Sequence, residues 1–383
     1  MWTQELAQSY TSLAHLKAAN LVSSEEAERL TKIGARFKVR ITPYYASLMS
    51  SDSQCPIRLQ AIPALGEDDP LLPEWAIALS QEIYQRNEPW HPDAIGDVEH
   101  LAAPRITHRY GNRAILHLSS MCAVYCRFCF RKEHLNDQDR ALYDGSLDPA
   151  LHYLTENPII RELILTGGDP LSLTDTALAR LLEKLAHVSH LKVVRIHSRM
   201  AVTMPSRLTA ELAELLGRDW PFQIHLVSHF NHPKEWTLEA KAGLKRIKRV
   251  GVALLNQNVL LRGINDSAET LQALYQGLYE ASVLPFYLHH PDWTPGTFHF
   301  RVSIEQGQAI MRELRGHLPG AAIPHYVLDI PQGSGKASLL DTHVTPLFKF
   351  TEGSIQGAVY ELTSPETRRG SRKTRYLDLF HWP

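Results

Sequence analysis

The sequence predicts an α/β fold, a partial TIM barrel of about six parallel βα units with an N-terminal helical and wrapping arm and a C-terminal extension. Three observations predict it. From residue 114 onward, short apolar runs alternate with amphipathic helical stretches, and strand, helix, strand repeated in this way argues for a parallel sheet. Right-handed crossovers that never reverse direction curl such a sheet into a barrel or part of one. The residues with reactive or charged side chains cluster just after the expected strands, where such a fold puts its chemistry.

Taken in order, residues 1 to about 35 read as helix, with Leu6, Tyr10, Leu13, Leu16 and Leu21 at helical intervals. Ser23-Ser24-Glu25-Glu26 looks like the capped start of a second helix. Prolines and turn residues break up residues 51 to 100, which suits a wrapping arm. The expected strands are Ala114–Leu118, Glu162–Leu165, Lys192–Ile196, Gln223–Val227, Ala253–Leu260, Leu284–Leu288 and His325–Leu328. Helices are expected at Asp175–His187, Thr209–Leu216, Leu238–Val250, Ala268–Ala281 and Ser303–Leu314. The expected division is an arm over 1–100, the barrel over 101–330, and a lysine loop with the C-terminal extension over 331–383.

Composition excludes several function classes. Lys+Arg numbers 40 against 41 Asp+Glu, a net charge of −1, so nothing electrostatic favours nucleic acid or a membrane surface. No secretory signal and no bilayer-spanning apolar run is visible. Of four cysteines, Cys55 stands alone, so no disulfide framework is expected and a reducing cytoplasm is.

The other three cysteines, Cys122, Cys126 and Cys129, fall within eight positions. Thiolates are the preferred protein ligands of iron–sulfur clusters. Three of them around a four-iron cluster leave one iron free for a small molecule. Simple packing is the bland alternative, and zinc would usually want a fourth ligand. This CxxxCxxC spacing resembles that of the radical S-adenosylmethionine enzymes. The resemblance implies a [4Fe-4S] cluster on these cysteines and S-adenosyl-L-methionine on the open iron, reduced to a deoxyadenosyl radical.

Near the C-terminus, Asp329-Ile-Pro-Gln-Gly-Ser-Gly-Lys336 is a glycine-rich segment ending in lysine. Its lysine suits a phosphate contact, a Schiff base with pyridoxal phosphate, or a plain exposed loop. The Walker spacing is absent. Together with Arg40-Ile-Thr-Pro-Tyr-Tyr, Thr107–Arg113, Leu165-Thr-Gly-Gly-Asp169, His229-Phe-Asn-His-Pro233 and Asn256–Asn265, this segment resembles the lysine 2,3-aminomutase family. The resemblance runs from about Arg40 to Lys336.

That resemblance implies pyridoxal 5′-phosphate on Lys336, with Arg109, Tyr110 and Arg113 on its phosphate side. Gly167, Gly168, Asp169 and Gln257 match contacts to adenosylmethionine. Arg131 matches the arginine for the substrate carboxylate, and Asp292 and Asp329 match two acids that hold a distal amine. Two converging carboxylates ask for a cation between them, so the expected activity is an isomerase moving the α-amino group of a cationic amino acid, L-lysine first. Arginine, or a lysine of elongation factor P, are alternatives, as is a radical enzyme without pyridoxal phosphate. A non-catalytic cluster protein leaves Lys336 unexplained. An electron donor such as flavodoxin or ferredoxin and a homo-oligomer are expected, with no nucleic acid and no membrane. His289-His290-Pro291 depart from the best-known lysine enzymes, and no cysteine follows Cys129 to bind the zinc of the clostridial type.

Overall fold

The computed structural model describes residues 2–133, 142–143, 145–340, 344–352, 355–363 and 372–381. Its centre is a ten-stranded sheet whose spatial order follows the chain. The strands are β1 (Leu101–Ala103), β2 (Ile106–Tyr110), β3 (Arg113–Ser119), β4 (Glu162–Gly167) and β5 (Val193–His197). They continue with β6 (Gln223–Ser228), β7 (Ala253–Val259), β8 (Leu284–His289), β9 (His325–Asp329) and β10 (Lys336–Ser338). β3 to β9 run parallel, and antiparallel pairs β1–β2–β3 and β9–β10 close the two ends.

The crossover helices explain the parallel order. Those at Asp175–Ala186, Ala210–Leu216, Leu238–Arg249, Ala268–Glu280 and Ile304–Leu314 are capped by Thr174, Thr209, Thr237, Ser267 and Ser303, each side-chain oxygen accepting a first-turn N–H. Their buried stripes follow the helical repeat, as in Leu178, Leu181, Leu182 and Leu185. β4 alternates: Leu163 and Leu165 are fully buried, while Ile164 and Thr166 face one large pocket. Residues from β2 through β10 line that pocket, so one face of these nine strands looks into one space.

Three features differ from the sequence reading. The N-terminal stretch is four short helices, Trp2–Ala7, Leu13–Ala18, Ser24–Arg29 and Thr31–Arg36. Tyr10 leaves the helical path to pair with Ile41, and Asn20 turns at φ 55°, so the first of the two expected helices is itself broken. The Ser23–Glu26 capping box is present. Lys336 is not in a loop; it opens β10, paired with Asp329 of β9. The C-terminal extension forms a separate antiparallel sheet, β11 (Val344–Glu352), β12 (Ile355–Thr363) and β13 (Lys373–His381). No helix among the described residues is long and apolar enough to cross a membrane.

Candidate active site

The three cysteines follow β3 and line the pocket with Gly167, Gly168, Asp169, Gln257, Arg131, Asp292, Asp329 and Lys336. The wrapping arm holds their loop: Tyr125 N donates to the Arg40 carbonyl and Arg127 N to that of Gln60, at 3.0 and 2.9 Å. Arg127 and Lys132 both reach the buried Glu67, whose carboxylate takes Lys132 Nζ at 2.8 Å. This triad is fully desolvated, so losing one member would strand the others' charge.

Burial pushes the Cys122 and Cys129 thiols up, Cys129 to about 11, and the charges of neighbouring thiols add to the push. All three cysteines line the same pocket, and a cationic group there would favour the thiolates. Among the described residues no three His, Cys, Asp or Glu side chains converge as a single ion requires. Thiolates spread over separate irons of a cluster have no such need. The donor set fits a [4Fe-4S] cluster. Arg199 Nη1 donates to the Cys126 sulfur at 2.7 Å, while its Nη2 pairs with Glu235 at 2.8 Å.

Gly167 and Gly168 are required by close packing as well. Gly167 has φ +115°, and a Cβ there would lie 2.7 Å from the Ser119 carbonyl. A Cβ on Gly168 would run into the backbone of Met121. Both glycines let the end of β4 press against the cysteine loop. Asp169 accepts from Leu171 N at 2.9 Å and from Arg199 N at 2.7 Å, so both oxygens already brace the strand ends.

At the other end, Lys336 Nζ donates to both oxygens of Asp329, at 2.5 and 2.6 Å. His289 Nδ1 lies 3.3 Å from the same carboxylate. Burial alone would raise the Asp329 carboxyl, but the Lys336 charge, then His289 and Arg109, hold it well below the usual range. Asp292 is the opposite case: burial first, then the Asp329 charge, pushes its carboxyl up. Its Oδ1 is buried with no hydrogen-bond partner. Tyr110 Oη accepts from Lys336 N at 2.8 Å, and the Arg113 guanidinium lies 3.8 Å above the Tyr110 ring.

The sequence reading missed Asp97, which joins the two halves. Arg131 Nε and Nη2 donate to its Oδ2 at 3.0 and 2.7 Å, and Arg109 Nη2 lies 3.6 Å from its Oδ1. Arg109 also donates to the Ile95 carbonyl at 2.5 Å and lies 3.9 Å from Asp329. The expected pairing of Arg109 with Arg113 on a phosphate thus meets an Arg109 engaged by two carboxylates, because a buried guanidinium takes the nearest anions. Arg113 and Tyr110 remain the more open pair, both half-buried. Lys336, Tyr110 and Arg113 together supply an amine, a hydroxyl and a cation on one pocket wall, which fits pyridoxal phosphate. No sequence signal pointed to Asp97, whereas His229 opens the His229–Pro233 motif and its Nε2 is buried without a partner.

A family model described as a 4Fe-4S single cluster domain matches residues 110–210. An L-lysine 2,3-aminomutase of Fusobacterium nucleatum is 36% identical over 95% of this chain and 82% of its own length. One from Escherichia coli is 38% identical over 71% of this chain and 78% of its own. A glutamate 2,3-aminomutase of Clostridioides difficile is 34% identical, covering 89% of this chain and 76% of that protein.

Proposed function

The chain belongs to the radical S-adenosylmethionine family of L-lysine 2,3-aminomutases, which are isomerases, and from that premise we propose that it moves the α-amino group of a cationic amino acid, L-lysine before others, to the β-carbon. The observation that carries the substrate reading is the buried, unpartnered Asp292 oxygen beside Asp329. Two buried acids side by side both ionise only with cations beside them; Lys336 and His289 already accompany Asp329, which leaves Asp292 as the acid open to a substrate cation. An anionic side chain such as that of glutamate would meet repulsion there.

When bound, the cluster with adenosylmethionine supplies the hydrogen-abstracting radical, and pyridoxal phosphate on Lys336 supplies the conjugated system that carries the migrating nitrogen. The chain's own residues bind and orient. Arg131, two positions past Cys129, takes the substrate carboxylate beside the cluster loop, and Asp97 holds its fork. Asp292 and Asp329 take the distal ammonium, so the substrate is stretched between two fixed ends. Tyr110 fixes the backbone of Lys336, and Arg113 stands on the phosphate side, while Arg109 is held by Asp97 and Asp329. Gly167, Gly168, Asp169 and Gln257 line the adenosylmethionine side. Ile164, Val227, Val259 and Leu261 keep the pocket wall dry around reactive species.

We read the curved sheet as a partial barrel, the enzyme as a cytoplasmic homo-oligomer, and its reductant as a small carrier such as flavodoxin or ferredoxin. Anaerobic reconstitution with iron, sulfide and pyridoxal phosphate, followed by L-lysine, adenosylmethionine and dithionite, tests the reading. β-Lysine is the expected product. No β-amino acid from lysine, arginine or ornithine would sink it.

A further inference from the structure

The loop that carries Asp292 is gripped from behind by residues of the separate C-terminal sheet. Arg301 Nη1 donates to the Pro291 carbonyl at 2.6 Å, one residue before Asp292. Its Nη2 donates to Tyr376 Oη at 2.5 Å and lies 3.4 Å from Asp378 Oδ1. Trp293 Nε1, one residue after Asp292, donates to the Leu377 carbonyl at 3.0 Å, and the Arg301 guanidinium lies 3.6 Å over the Trp293 ring. His290 Nε2 lies 3.6 Å from Asp378 Oδ1, and its Nδ1 is 2.8 Å from Tyr326 Oη. Asp378 is itself fixed, its Oδ2 accepting from Ile304 N at 2.8 Å. Asp378, His290 and Tyr376 are at 0% exposure and Arg301 at 1%, so water screens none of them.

Resting on the aminomutase reading, we infer that Asp378 is a positioning residue: it reserves the Arg301 guanidinium for the C-terminal sheet and so leaves Asp292 free to receive the substrate's cationic tail. A guanidinium cannot shed its proton inside a protein, so a buried one must find an anion. Two carboxylates feel this one. Asp378 is in ion-pair range, and Asp292 directly follows Pro291, whose carbonyl Arg301 holds at 2.6 Å. With Asp378 neutral, Asp292 is the remaining acid, and Arg301 already holds the carbonyl next to it. Arg301 would then occupy the place of the substrate's ammonium. The extension outside the parallel sheet thereby sets tail specificity inside it.

The test compares wild-type full-length holoenzyme with Asp378→Asn and with the double variant Arg301→Gln/Asp378→Asn. Calorimetry measures affinity for L-lysine and for L-norleucine, which is lysine without its distal amine. Asp378→Asn is expected to weaken lysine about tenfold or more while norleucine stays within about threefold. The double variant, which removes the competing cation along with its anion, is expected to regain most of the lysine affinity. In turnover the single variant should raise KM with little change in kcat. Iron content and thermal unfolding check that each variant folds. Should Asp378→Asn fail to fold, the double variant still decides, since its lysine affinity must stay near wild type. Parallel loss of lysine and norleucine, an unchanged lysine affinity in the single variant, or no recovery in the double would overturn the inference. Because affinity is read without turnover, a wild type that binds lysine but forms no β-lysine counts against the aminomutase reading alone.

Discussion

Lys336 and Asp329 face each other across β9 and β10, the ammonium 2.5 and 2.6 Å from the two carboxylate oxygens. They are direct register partners, joined by the six residues Ile330–Gly335, which include the turn Pro331–Gly333. The lysine expected to carry one cofactor therefore lies on one of the two acids expected to hold the substrate tail. Lys336→Ala should abolish β-amino acid formation, by on the order of a thousandfold or more, and remove the absorbance of bound pyridoxal phosphate. Iron and sulfide content should stay at the wild-type level. Retained turnover with no cofactor absorbance in either protein would instead favour a radical enzyme that does not use pyridoxal phosphate.

Asp97 should show itself in acid. Burial would raise its carboxyl, but Arg131 first, then His117 and Arg109, bring it down from 3.8 to about 2. A folded value below the unfolded one means the contribution is fully present above about pH 4. It is lost as pH falls towards about 2, and it amounts to about 2 kcal/mol. Asp97→Asn should unfold at lower temperature at pH 7, leaving two buried guanidiniums without their shared anion, and should lack that extra fall in stability between about pH 4 and 2. Chemical denaturation across this range measures it; an unchanged pH slope would count against the assignment.

The cysteines separate cleanly into two kinds. Replacing Cys122, Cys126 or Cys129 by Ala should remove most cluster iron after reconstitution and with it all adenosylmethionine cleavage. Cys55 is buried apart from them, its sulfur 3.4 Å from Ser50 N, and Cys55→Ser should keep full iron loading. Iron analysis with electron paramagnetic resonance reads both outcomes.

Gly168→Ala probes the seam between β4 and the cysteine loop. The added methyl meets the Met121 backbone, which cannot rotate away as a side chain would. A cost of about 1–3 kcal/mol is expected in thermal unfolding, together with weaker adenosylmethionine binding. Gly145→Ala is the control for open space, since nothing lies within 4 Å of a Cβ there, although its φ of +83° adds some backbone strain of its own.

The parallel core was legible because each strand and helix announces itself locally. Glu162–Gly167 carries the short apolar run Leu163-Ile164-Leu165, and Thr174, Thr209, Thr237, Ser267 and Ser303 mark the helix starts. β1 and β10 are three residues each, too short for any period, and exist through pairing with β2 and β9. β11 carries Pro346 inside it, beside a register shift, which disguises a strand. The cysteines, Arg131, Asp292, Asp329 and Lys336 were legible as motifs, and they do line one pocket. Asp97 was not, because its role comes from a fold-dependent meeting. Gly96 beside it takes φ +68° against the Gly333 backbone, bringing the Asp97 turn onto the turn before Lys336. No local pattern in a proline-broken arm encodes that.

The most direct test of the cationic-tail account is the ratio of kcat/KM for L-lysine to that for L-glutamate in the reconstituted wild-type enzyme. The account predicts a preference for lysine of at least about a hundredfold, because glutamate brings an anion towards Asp329 and Asp292 and leaves Asp292 without a partner. A ratio near one, or faster formation of β-glutamate, would contradict it.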